Sequence, residues 1–123
     1  MKTARLTLRP FTLQDAAFIV LLLNDPGWLR FIGDRKVRTT DDACEYLRDG
    51  AIAHAAKHGL ALGAVQRSGD GALMGMCGLI RREGLDDVDL GYAFLPAFRG
   101  QGYASEAAAA WLTRGFEHFG LKR

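Results

Sequence analysis

Residues 99 to 104 read Arg-Gly-Gln-Gly-Tyr-Ala and stand where an apolar strand pattern gives way to a helical one. Gly100 and Gly102 carry no Cβ, so the backbone there can take positive φ and a ligand can come close to it. Directly behind them the spacing predicts a long helix, because Ala104, Ala107, Ala108, Trp111, Leu112, Gly115, Phe116 and Phe119 make one apolar stripe at helical period. The first-turn N–H groups of such a helix lack intrahelical acceptors. They add to the helix dipole, and together they form an anion site suited to a phosphate or pyrophosphate.

Spacing alone leaves a plain strand-to-helix turn open beside the anion site. A dinucleotide fingerprint fits worse: Gly100, Gly102 and Ser105 imitate it loosely, the third glycine is absent, and no acidic residue follows at the required interval. A Walker A loop is excluded, since no Gly-Lys-Ser/Thr occurs. Other reactive side chains offer less. Cys44 and Cys77 lack metal-ligand spacing; Cys44 reads as a small helical hydrophobe, and Cys77 stays open as a strand residue near the proposed cleft. His54 lies on an apolar helical stripe and reads as a packed, hydrogen-bonded histidine, while His58 and His118 sit near helix C-termini.

With those residues in view, the chain resembles the GNAT N-acetyltransferase superfamily. Arg99-Gly100-Gln101-Gly102-Tyr103-Ala104 is similar to its Arg/Gln-x-x-Gly-x-Gly/Ala acetyl-coenzyme A loop. The surrounding Asp89-Leu-Gly-Tyr-Ala-Phe-Leu-Pro and Gly102-Tyr-Ala-Ser-Glu-Ala resemble the ribosomal-protein-alanine acetyltransferase branch. The resemblance implies acetyl-coenzyme A as cofactor and a primary amine of a protein N-terminus or a small molecule as acceptor. It places the pyrophosphate on the N–H groups of Gly100, Gln101, Gly102, Tyr103 and Ala104, with Arg99 adding charge. The pantetheine arm would pair with the backbone around Phe94 and Leu95, where Pro96 ends the strand.

An N–H near Ala93 or Phe94, at a bulge such as the family has, would serve as oxyanion donor. Asp89 occupies the position of the family's usual glutamate and is the candidate base. An amine of pKa about 10 is mostly ammonium at neutral pH, so its proton must be accepted, directly or through water. A solvated strand-edge carboxylate beside Asp86 and Asp87 is the other reading of Asp89. By the same resemblance Trp28, Leu29, Arg30 and Phe31 border the acceptor pocket. Two alternatives to the transferase remain: a coenzyme A-binding pseudoenzyme or incomplete fragment without turnover, and a generic nucleotide-binding domain.

These residues need a scaffold, and the pattern supplies one. Residues 5 to 9 alternate as a short strand stopped by Pro10, and Thr12-Leu-Gln-Asp15 is a capping box before a first helix ending at Asn24-Asp-Pro-Gly27. Trp28 to Ile32 read as an apolar connector. Thr39 or Thr40 opens a second helix that His58-Gly59 closes. Residues 60 to 67 and 72 to 81 flank Ser68-Gly-Asp-Gly71 as an antiparallel hairpin, residues 82 to 87 form a polar turn, and residues 88 to 95 add a third strand. That last strand should pack its bulky even positions and leave the odd side, Asp89, Gly91 and Ala93, roomy.

This order is α+β (mixed α/β), a single domain over residues 1 to 123 with a mostly antiparallel sheet flanked by helices. It matches the family's order from Leu6 onward. The family's last strand, helix and hairpin would follow residue 123, along with its acid and its asparagine contact to coenzyme A. The expectation is therefore a C-terminally short acetyltransferase whose open strand edge and apolar helix face are buried in a homodimer, over more than about 1,000 Å².

The 123 residues, with a formal charge of +2 and ordinary globular composition, argue against disorder, and nothing argues for nucleic acid. Met1-Lys-Thr-Ala-Arg leads into a strand pattern rather than a signal peptide, and no apolar run is long enough to span a bilayer. A cytoplasmic, metal-free protein is expected.

Overall fold

The computed structural model of the chain describes residues 1–81 and 88–118. Among them four strands, β1 (Leu6–Pro10), β2 (Leu62–Arg67), β3 (Leu73–Arg81) and β4 (Val88–Phe94), form one antiparallel sheet in the order β1-β2-β3-β4. The hairpin between β2 and β3 turns where the glycines and Asp70 predict it, with Gly71 at φ +73°. The polar turn of residues 82 to 87 lies outside the described residues.

Among the described residues five helices accompany the sheet: α1 (Ala16–Leu23), α2 (Pro26–Phe31), α3 (Thr40–Leu47), α4 (Ala53–His58) and α5 (Tyr103–His118). Thr12 and Asp15 make the expected capping box, at the head of a one-turn 3₁₀ segment that runs into α1. Thr39 and Asp42 repeat the device at α3. Between α3 and α4 the helix widens into a π segment, Arg48–Ile52, at the weak helix former Gly50.

The expected connector after residue 27 is in fact helical. The Asp25 carboxylate accepts from the N–H groups of Gly27 and Trp28, and Pro26 sits at the first helical position, where its missing N–H costs nothing.

Alternation along the strands divides the core between the two faces of the sheet. One face buries Ala64 and Met76 against Ile19, Leu22, Leu23 and Leu47 of α1 and α3. The other buries Leu6, Leu8, Val65 and Cys77 against Tyr103 and Ala107 of α5. Each fully buried aliphatic side chain contributes roughly 1.5–3 kcal/mol relative to exposure.

Two packing expectations are corrected. Tyr92 on β4 is 58% exposed and Leu112 on α5 is 42% exposed, because a periodic pattern assigns a residue to a face without showing that the face is covered there. Gly91 is not in open space either: a Cβ on it would meet Ile80 Cδ1 and Leu62 Cδ2, both at 3.2 Å. The side chains of Phe116 and Phe119, used for the same stripe, lie outside the described residues.

Candidate active site

The site is built where β4 ends. Phe94 and Gly75 face each other across the β3–β4 ladder, and the next bond is Leu95 N–H to the Met74 carbonyl at 2.9 Å. In an antiparallel pair this register turns the backbone groups of Ala93 and Leu95 toward β3 and those of Phe94 toward the opposite edge. Of the expected oxyanion donors, the register therefore selects the Phe94 N–H. No bulge is needed: β4 pairs without a register shift, and the irregularity lies at Val65 and Gln66, between β2 and β3.

Gly75 is what lets Phe94 settle there. A Cβ on Gly75 would collide with the Ala93 carbonyl and come within 2.9 Å of the Phe94 ring. Leu95 contributes less backbone than expected, since its N–H is committed to Met74 and its carbonyl accepts from Phe98 N–H in the 3₁₀ turn Pro96–Phe98.

Beyond that turn, Gly100 at φ +75° and Gly102 at φ +80° both take the left-handed conformation that glycine tolerates best. The chain then enters α5, with Glu106 N–H bonding the Gly102 carbonyl at 3.0 Å. The N–H groups of the helix's first turn are thus presented beside a cleft of about 440 Å³. Gly100, Gly102, Tyr103, Ala104, Phe94 and Arg99 all wall this cleft, so the structure brings most of the sequence-selected residues together. Gln101 is turned elsewhere, its side chain donating to the Ala97 carbonyl at 2.9 Å.

Arg99 is placed differently from expectation. Its Nε donates to the Phe94 carbonyl at 3.0 Å, and a terminal nitrogen meets the buried Asp25 carboxylate at 3.1 Å. The guanidinium therefore bridges the edge of β4 to the N-cap of α2. Asp25 stands in the sequence as part of a turn, and the fold adds it to the cleft wall; Asp followed by Pro ahead of an apolar run is the signal that marks it. Trp28, the second residue capped by Asp25, forms part of the cleft wall, and its indole N–H is buried without a partner. The two left-handed glycines beside the first-turn N–H groups of α5 fit a ligand that carries an anionic group.

Asp89 lies at the other end of β4, about 16 Å from Phe94 at strand rise. It is exposed and pairs with Ile80 across the ladder. A second cavity, about 640 Å³, includes Ile80 in its wall together with Tyr46, His54 and Met76. His54 is the hydrogen-bonded histidine expected: Nε2 accepts from the Arg81 N–H at 3.1 Å, and burial, with the neighbouring His58 and Lys57, lowers its pKa. Cys77 is closed as a nucleophile, because burial pushes its thiol up to about 12. Among the described residues no cluster of three metal-ligating side chains occurs, and no helix is long and apolar enough to cross a membrane.

Comparison with known proteins agrees with this geometry. The family model described as "Acetyltransferase (GNAT) domain" matches residues 5–123. The chain is 27% identical over 124 residues to the uncharacterized N-acetyltransferase YoaA of Bacillus subtilis, covering all of this chain and 70% of that protein. Its fold matches the GNAT-family acetyltransferase of Bacillus anthracis with a TM-score of 0.79 and 26% identity, over 98% of this chain and 68% of that one. It also superposes on the ribosomal L7/L12 α-N-protein acetyltransferase RimL, solved in complex with coenzyme A, with a TM-score of 0.82. At 15% identity, over 98% of this chain and 68% of RimL, that likeness is one of fold.

Proposed function

Because the chain belongs to the acetyltransferase (GNAT) domain family, we propose that the cleft at the head of α5 binds acetyl-coenzyme A and that the protein passes its acetyl group to a primary amine. The observation that carries this reading is the convergence, on one cleft, of the paired left-handed glycines, the α5 N-terminus and the open edge of β4. Acetyl-coenzyme A supplies, when bound, an acetyl group activated as a thioester.

The chain's own residues have three tasks. The N–H groups of Gly100 through Ala104 hold the pyrophosphate without a metal, as helix N-termini hold anions. The Phe94 carbonyl offers an acceptor to the pantetheine arm, and its N–H is the donor for negative charge developing on an acyl oxygen. The Phe94 carbonyl has a second lone pair, so it can accept from the arm while Arg99 Nε stays bonded to it.

Asp89 is the proposed proton acceptor for the amine. Its carboxylate is exposed and about 16 Å along β4 from Phe94, so the proton would reach it through a chain of waters rather than by direct contact. The acceptor is a protein N-terminus or a small amine entering along α2, where Trp28 walls the cleft.

Calorimetric titration with acetyl-coenzyme A, coenzyme A and ATP, followed by thiol release with a panel of amines, tests this reading. Binding of both coenzyme A forms with turnover on an amine supports it. Preference for ATP rules it out, and binding with no turnover on any amine reassigns the chain to a coenzyme A-binding pseudoenzyme.

A further inference from the structure

The loop of residues 99 to 102 is short of backbone bonds of its own. It is held from behind, on the side away from the cleft, by a residue about a hundred positions earlier in the chain. The Arg5 guanidinium donates through one terminal nitrogen to the Gln101 carbonyl at 3.0 Å and through Nε to Glu106 Oε1 at 2.6 Å. The Arg5 backbone N–H donates to Glu106 Oε2 at 2.9 Å, and the Thr3 hydroxyl bonds the same oxygen. The guanidinium carbon lies 4.4 Å from the centre of the Tyr103 ring. The other terminal nitrogen is 3.3 Å from where a Cβ on Gly102 would stand.

An exposed ion pair contributes little by itself, and the Arg5 side chain is 45% exposed. What distinguishes Arg5 is that one planar side chain addresses the loop carbonyl, the first turn of α5 and the Tyr103 ring at once. Lysine has the charge but not the fork or the stacking plane. A loop whose N–H groups must converge on an anion binds more tightly when its backbone is ordered beforehand, since the entropy of ordering is not then taken from binding. Arg5 is not among the residues that wall the cleft.

We infer that Arg5 is a positioning residue for the cofactor loop, fixing Gln101, Gly102 and Tyr103 from behind while Glu106 and Thr3 fix Arg5. The inference rests on the cofactor reading above and adds to it a residue in the N-terminal strand region.

Calorimetry with coenzyme A, steady-state kinetics and amide hydrogen exchange on Arg5→Met and Arg5→Lys provide the test. Loss of preorganisation predicts that Arg5→Met raises Kd for coenzyme A and KM for the acetyl donor by about tenfold, with kcat within about threefold of wild type. The amides of residues 100 to 104 should exchange faster in the empty protein, and Arg5→Lys should recover little of either effect. A Kd within about twofold of wild type with unchanged exchange overturns the inference, as does a fall in kcat at constant KM. If Arg5→Met fails to fold, Glu106→Gln weakens the hold on the same guanidinium and must reproduce the rise in Kd; an unchanged Kd overturns the inference. If the wild type binds no coenzyme A, it is the cofactor reading that fails, and loop exchange still reports whether Arg5 orders the loop.

Discussion

The two ends of β4 are built to different standards. At its C-terminal end the Phe94 ring is buried, Gly75 makes room beneath it, Arg99 ties the edge carbonyl to Asp25, and the loop beyond is gripped by Arg5. At its N-terminal end Asp89 stands exposed, and its ladder partner Ile80 helps wall an open cavity. The first end has a shape before any ligand arrives. The second supplies a charge and space. Under the proposed transfer this is a division of labour: the donor's phosphates and amides reward fixed partners at the first end, and the second offers only an end point for the amine's proton.

The largest expected effect sharpens that division. Asp89→Asn should lower kcat by about a hundredfold while leaving coenzyme A affinity within about twofold, as removal of a proton acceptor does. Unchanged turnover reduces Asp89 to a solvated carboxylate, and a large loss of affinity would mean that the two ends are not independent.

Gly102→Val is the converse experiment. Holding a β-branched residue at φ +80° costs on the order of 1–3 kcal/mol, and the side chain would also press on Arg5, so coenzyme A binding should weaken by roughly tenfold or more. A folded variant that binds within twofold places the cofactor elsewhere.

Asp25→Ala probes the link from the cleft to α2. Loss of the N-cap should lower stability by about 1 kcal/mol in chemical denaturation, followed through tryptophan fluorescence. Coenzyme A affinity should change by no more than about fivefold, because the pair with half-exposed Arg99 contributes under about 1 kcal/mol. The smallest effect is a null one. Alkylation at neutral pH should label half-buried Cys44 and spare Cys77, whose thiol is buried and pushed up to about 12, unless the protein is first unfolded. Fast labelling of Cys77 in the native protein would show that the sheet beneath α5 opens.

What could be read in the sequence and what could not divides along a similar line. The hairpin at residues 68 to 71, the capping boxes at Thr12 and Thr39 and the glycine loop ahead of α5 are local devices, complete within a few residues, and each stands where its spacing puts it. The partners of Arg99 and Arg5 are not local. Asp25 is 74 positions from Arg99, and Gln101 is 96 from Arg5, so no window of sequence connects them. Tyr92 and Leu112 carry the correct period and are still exposed, because periodicity describes an element and coverage depends on its neighbours. The chain's resemblance to the acetyltransferases marked the cleft; only the fold showed that Arg99 is engaged within it and that Arg5 stands behind it.

The central claim is that the cofactor binds along the end of β4 and the head of α5. Backbone amide chemical shifts of the isotopically labelled protein, followed during titration with coenzyme A, test it most directly. The account predicts that the largest saturable shifts fall on Phe94 and on residues 100 to 104, with smaller ones at Arg5 and Trp28 and almost none around Tyr46 and His54. Shifts centred on Tyr46 and His54, with the Gly100 and Gly102 amides unmoved, would contradict it.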